Sequence, residues 1–161
     1  MNLMKPKYVE NVECASLTRK DILKLLQSKT IKQMVSLCER KDGAGLAAIQ
    51  VGIPKRFFVA YRPDVKVRGE VNLGSWCVFI NAEYKTIDDN TIISKEGCLT
   101  YGERIFKVNR FKKIKASWDE IDKSGNIIRV EQELDGTFAI VFQHECDHLN
   151  NITISKIEIK D

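Results

Sequence analysis

Gln143-His144-Glu145-Cys146-Asp147-His148 is the stretch from which the chain is read outward, because it holds both of the histidines the sequence contains. In a helix, residues four apart differ by about 40° around the axis and about 6 Å along it, so His144 and His148 face the same way. Two imidazoles so placed suit one tetrahedral metal ion. Glu145 follows the first histidine and would stand beside such an ion, where a carboxylate can move protons for an activated water. The alternative is a solvent-facing helical turn without a ligand.

The flanking residues assign the faces of this helix. Phe138, Phe142, Cys146 and Leu149 recur at steps of four and three and form a core stripe. Ile140 and Val141 share the other face with His144 and His148, which places them next to a bound metal. Cys146 lies about 200° around the axis from His144 and cannot join the same ion. A catalytic site needs a third protein ligand and one open position. The 13 residues after His148 contain no histidine, and Glu158 is their lone glutamate, so the third ligand is expected upstream. Within Glu96-Gly97-Cys98-Leu99-Thr100, Cys98 is the best-placed thiol, although a buried structural thiol is the common fate of such a cysteine. Two histidines and a thiolate suit zinc or ferrous iron.

A third stretch, Gly43-Ala44-Gly45-Leu46-Ala47-Ala48-Ile49-Gln50, is a run of small residues ending in an amide. Its glycines permit close approach of another backbone, as in a loop that binds an extended peptide or lines a tight site; a simple turn is the other interpretation. It lacks the Gly-Lys-Ser/Thr ending of a phosphate loop.

The rest of the chain supplies a scaffold. Residues 1–17 are expected to be an irregular arm on the surface. Thr18 with Asp21 makes a capping box for a short helix carrying Ile22, Leu25 and Leu26. Ile31, Met34, Val35 and Cys38 continue at helical spacing about half a turn out of phase, so a break near residues 28–30 and a main helix over 31–41 are expected, with Thr30 and Gln33 as a second capping box. Strands are expected at 57–61, 76–80, 91–94, 112–118 and 126–134, the last two joined by the hairpin signal Asp122-Lys123-Ser124-Gly125-Asn126. Residues 62–75 suggest a long loop. The run from Arg110 to Lys115 suggests the solvent side of one strand. Strands followed by a late helix give an α+β fold: mixed or antiparallel strands around a central C-terminal helix, with an N-terminal helix. At 161 residues the chain suits one domain, 1–161.

With a net charge of only +4 and lysines interleaved with acids, nucleic-acid binding is not expected. Five cysteines without a CxxC pair argue for reduced thiols and an intracellular location. No apolar run approaches the roughly 18 residues of a membrane helix, and residues 1–10 lack the apolar segment of a signal peptide. A cytoplasmic monomer is expected.

Together, GAGLAAIQ at 43–50, EGCLT at 96–100 and QHECDHL at 143–149 resemble the three motifs of the peptide deformylases, GxGLAAxQ, EGCLS and HExDH, in the same order and at about the same spacing. The likeness covers roughly residues 20–152 and includes Ile80-Asn81 and Arg110. It implies a metal-dependent hydrolase that removes the formyl group from N-formylmethionine of newly made proteins. It further implies that Cys98, His144 and His148 bind one divalent ion, natively Fe2+ in many members and replaceable by Zn2+, Ni2+ or Co2+. Glu145 would be the general acid/base, Gln50 and the Leu99 backbone N–H the oxyanion donors, and Gly43, Ala44 and Gly45 the backbone edge that receives the peptide. Leu99, Ile140 and Val141 would wall a methionine-sized pocket.

Thr100 stands where the family has serine, Ala82 where it has proline, and Asn151 where glycine often ends the helix. The residues after His148 are too few for the C-terminal helix some members use at the ribosome, so docking by that route is not expected. An HExxH endopeptidase with another third ligand and an inactive relative that binds N-termini are the competing functions. Glu96 and Arg110 are expected to form an ion pair that orients the cysteine motif, and Asp147 to orient the helix or a ligand from behind.

Overall fold

The computed structural model describes residue 6, residues 11–62 and residues 75–160. Helix α1 (Arg19–Gln27) starts at the expected capping box, with the Asp21 N–H donating to Thr18 Oγ1 at 3.2 Å and the Thr18 N–H to the Asp21 carboxylate at 3.0 Å. Ser28 ends α1, and α2 (Thr30–Arg40) follows at once, so the expected break falls where the two apolar stripes lose phase. The second capping box does not form. Lys29 is the N-cap residue, and the Thr30 N–H is accepted by Ser28 Oγ at 3.2 Å, so the tight junction itself satisfies that donor.

The strands are β1 (Gly45–Ala47), β2 (Phe57–Tyr61), β3 (Trp76–Thr86), β4 (Thr91–Gly97), β5 (Ile105–Phe111), β6 (Lys113–Ile121) and β7 (Ile127–Asp135). Five form one sheet in the order β1-β2-β3-β6-β7, and β4 pairs with β5 in a second sheet. Every ladder is antiparallel; the single parallel contact among the described residues is an isolated bridge between Ala15 and Lys55. Helix α3 (Gly136–Leu149) follows β7 directly. The α+β expectation holds.

Three strand readings need correction. β3 runs past Ile80 because a bulge between Ile80 and Glu83, with Asn81 at φ 51°, carries the pairing on to Thr86. β4 continues from Ser94 to Gly97 and so delivers Cys98 at its end. β5 was not foreseen. Its inward positions are Phe106, Val108 and Arg110, and an arginine at an inward position breaks the apolar alternation that marks a strand. The lysine-rich run from Arg110 therefore straddles two strands, with Lys112 at the corner and its N–H on Asn90 O at 2.9 Å.

The arm is also more than a surface strap over residues 11–17. Cys14 and Leu17 are buried, and Leu17 is held by Asn81 through both its N–H and its C=O. The rest of the arm, apart from residue 6, and the expected loop, over 63–74, lie outside the described residues.

β2 shows how the layers are made. Phe57-Phe58-Val59-Ala60 is a continuous apolar run because both faces of the strand are covered. Phe57 and Val59 join Ile22, Met34 and Leu37 on the α1/α2 side, whereas Phe58 and Ala60 join Phe79, Trp118, Phe142 and Cys146 on the α3 side. The core stripe of α3 is as expected: Phe142, Cys146 and Leu149 are buried, and Phe138 packs at its edge. A Phe142→Ala change would cost about 3–5 kcal/mol, so this layer fixes α3 against the sheet.

Candidate functional site

The opposite face of α3 looks toward the end of β4. His144 and His148 stack edge to face, their ring centroids 5.1 Å apart. Cys98, 5% exposed, enters from the turn Leu99–Tyr101, its Sγ 3.5 Å from His148 Nε2. The three potential ligand atoms lie within 4.8 Å of one another, which makes this group of residues able to hold a metal ion. Bonds of about 2.0 Å to nitrogen and about 2.3 Å to sulfur, opened at a tetrahedral angle, leave ligand atoms roughly 3.5 Å apart. The donor set therefore fits a single ion.

The histidines are oriented from behind. The His144 Nδ1 sits 2.8 Å from Glu96 Oε2, which makes Nδ1–H the donor and leaves Nε2 for a ligand. Glu96 receives two bonds from Arg110, at 2.8 and 2.9 Å, and Arg110 gives a third at 2.6 Å to Asp147. The expected Glu96–Arg110 pair is thus present, and Asp147, next to His148, is its third member. Burial pushes the Glu96 carboxyl up, but Arg110 and His144 outweigh it and hold the group down at about 2. Asp147 is shifted the other way, raised by burial against the pull of Arg110. Burial, with the charges of His144 and Arg110, keeps His148 neutral by lowering it to about 3. Burial opposes charge on His144 too, yet the Cys98 thiol and Glu96 raise it to about 10. Thiol and carboxylates together favour positive charge at this spot, which a bound metal ion would supply.

Glu145 is 3% exposed, and burial pushes its carboxyl up to about 7. Its Oε2 is buried without a hydrogen-bond partner among the described residues, whereas Oε1 lies against Gly45. A Cβ on Gly45 would stand 2.6 Å from Oε1, so only glycine leaves room for this carboxylate. Gln50, 4% exposed, is oriented without ambiguity: the Ala47 N–H donates to its Oε1 at 2.9 Å, which turns Nε2 toward Thr100 Oγ1 at 3.0 Å and Cys98 Sγ at 3.7 Å. Leu99 opens the turn after Cys98, where an N–H has no partner within the turn.

Gly43, Ala44 and Gly45 come together beside this cluster but are not equivalent. The Gly43 N–H closes α2 on Cys38 O at 2.9 Å, and the Ala44 carbonyl accepts the Tyr61 N–H at 2.9 Å. Alternation along an antiparallel ladder then turns the Gly45 N–H and C=O away from β2, toward the open edge of the sheet. Leu99 Cδ1 would stand 3.0 Å from a Cβ on Gly43. Ile140 and Val141 are half-buried one turn before His144, and Val141 also packs against the main core.

Two contacts escaped the sequence. Glu96 touches His144, a pairing across 48 residues that no spacing encodes. Gln143, 1% exposed, accepts the Phe111 N–H and donates to the Phe111 and Ala139 carbonyls, pinning α3 to the end of β5.

The fold and this site fit a metal-dependent hydrolase, with an HExxH helix and a cysteine able to serve as the distant third donor. Comparison with known proteins is more specific. The polypeptide deformylase family model matches residues 11–159. A peptide deformylase of Thermotoga maritima is 42% identical over 126 residues, which are 78% of this chain and 68% of that protein. One from a Wolbachia of Brugia malayi is 31% identical over 126 residues, 76% of this chain and 68% of that protein. The crystal structure of a Thermotoga maritima peptide deformylase superposes with a TM-score of 0.70 at 32% identity, covering 96% of this chain and all of that one (100%). The Plasmodium falciparum enzyme superposes with a TM-score of 0.77 at 25% identity, covering 99% of this chain and 87% of that one. The chain belongs to the peptide deformylase family, hydrolases that take the formyl group from nascent peptides.

Proposed function

We propose that this chain hydrolyses the formamide of N-formylmethionyl peptides with one divalent ion, natively Fe2+, held by Cys98, His144 and His148. The observation that carries this reading is the convergence of those three donors with a buried carboxylate on one side and an oriented amide on the other. When bound, the ion supplies Lewis acidity that makes water nucleophilic near neutral pH.

The chain's own residues do the rest. The substrate backbone adds along the open edge of β1 at Gly45, as a strand would, and its methionine side chain meets Leu99, Ile140 and Val141. Gln50 Nε2 and the Leu99 N–H donate to the formyl oxygen as the water oxygen bonds to the formyl carbon and negative charge builds there. Glu145 takes the water's proton and passes it to the amide nitrogen as the C–N bond breaks, since an unprotonated amide nitrogen is a very poor leaving group. Formate and a free N-terminal methionine result. The protein would work as a cytoplasmic monomer on nascent chains; among the described residues no helix is long and apolar enough to cross a membrane.

The test is formate release from formyl-Met-Ala-Ser by iron- or nickel-loaded protein. Turnover is expected with either metal, and a folded sample inert with both would overturn the reading. An endopeptidase would use a different third ligand, so a Cys98→Ala variant that kept its metal and cleaved internal peptide bonds would favour that function instead.

A further inference from the structure

The residues beyond α3 have no part in the function so far. Asn151, at φ 59°, turns the chain back, and the Ile152 N–H returns to Asp147 O at 2.8 Å. The segment then crosses β5, where the Ile159 N–H bonds Lys107 O at 2.8 Å and Glu158 pairs with Arg104 at 2.7 Å. Between these anchors Ile154, 3% exposed, joins Cys98, Phe106 and Val108 in one buried apolar cluster. Ser155 Oγ lies 2.9 Å from the Tyr101 hydroxyl, and Tyr101 caps the turn from Cys98 through its N–H on Cys98 O at 2.9 Å.

These contacts join the two elements that carry the site. His144 and His148 ride on α3, whereas Cys98, the Leu99 N–H and Thr100, the partner of Gln50, ride on the turn after β4. We infer that residues 152–159 are a strap holding that turn in register with α3, and that Tyr101, Ser155 and Ile154 are positioning residues for the metal thiolate and the oxyanion donors. The hydroxyl bond serves the donors, and the Ile154 side chain serves the sulfur. The inference rests on the proposed function for its catalytic consequence, but the thiolate's placement can be read without turnover.

The experiment combines steady-state kinetics with the thiolate-to-cobalt charge-transfer band of Co2+-loaded protein. Tyr101→Phe and Ser155→Ala are each expected to lower kcat about 3- to 10-fold with KM within about twofold, and the double variant to be no worse than Ser155→Ala, because the Tyr101–Ser155 bond is shared and Ser155 alone also reaches Thr153 Oγ1, at 3.3 Å. Ser155→Thr keeps the hydroxyl and should restore kcat. Ile154→Ala, or Ile154→Val if the alanine form does not fold, should shift or weaken the Co2+ band. Unchanged kcat in both hydroxyl variants, additive losses, or an unmoved band would overturn the strap. If wild-type protein releases no formate yet shows the band, the proposed function falls alone and the Ile154 variants still decide whether the strap positions the sulfur.

Discussion

Arg110 grips Glu96 with two hydrogen bonds, at 2.8 and 2.9 Å, and the oxygen that receives one of them also faces His144 Nδ1 at 2.8 Å. The pair is buried, Arg110 at 3% and Glu96 at 8% exposure, so it is not a surface ornament. It sets the ring plane and the tautomer of a histidine that points at Cys98.

Arg110→Met should leave Glu96 and Asp147 as uncompensated buried carboxylates and cost about 3–5 kcal/mol of folding stability. A urea melt reads this directly. A loss below about 1 kcal/mol would mean the three-residue cluster contributes little to the native state.

Glu96→Gln is the milder probe, since it keeps an acceptor for His144 but removes the charge. Metal affinity should fall about 10- to 100-fold, while the metal-free protein melts much as before because Arg110 keeps its bond to Asp147. Competition with a chromophoric chelator measures it, and unaltered affinity would assign Glu96 to folding alone.

Glu145→Gln should retain the ion and lose about 10²–10⁴ in kcat, the usual worth of a general acid/base. Metal analysis beside a formate assay separates the two effects. A protein that merely binds formylated N-termini would show the same affinity in both forms and no turnover in either.

Gly45→Ala would set a Cβ at 2.6 Å from Glu145 Oε1, so the carboxylate has to move. Displacing a catalytic group by about 1 Å can cost roughly 100-fold, and kcat should drop on that scale with metal content unchanged. Gly43→Ala is the control, because its 3.0 Å contact is with Leu99 Cδ1, the far end of a flexible side chain, and its effect should be smaller. Equal losses in the two variants would contradict the special place of Gly45.

Stripping the ion with a chelator should lower the melting temperature, since any ligand that binds only the native state stabilises it by mass action. Reloading with Ni2+ or Co2+ should restore both the melt and formate release. Calorimetry tests this, and a melt indifferent to chelation would deny the metal any role in the fold.

The sequence by itself determined the helix and its two faces, because four-residue spacing is a local property: His144, His148 and Glu145 on one side and the Phe142 stripe on the other follow from 3.6 residues per turn. It also held the capping box of α1, the hairpin between β6 and β7, and three motifs whose order pointed to a family. The tertiary structure decided what spacing cannot encode. The inward Arg110 hid β5, since a strand is recognised by apolar alternation and an ion pair across the β4–β5 sheet replaces it there. Gly43 and Ala44 give backbone groups to Cys38 and Tyr61, leaving Gly45 as the open edge, and only the register of β1 on β2 shows this. The bond from Glu96 to His144 and the return of Ile154 to Cys98 close loops of 48 and 56 residues. Such contacts exist because folding buries these groups together in a low-dielectric interior where each must find a partner, and no local pattern records which one it finds.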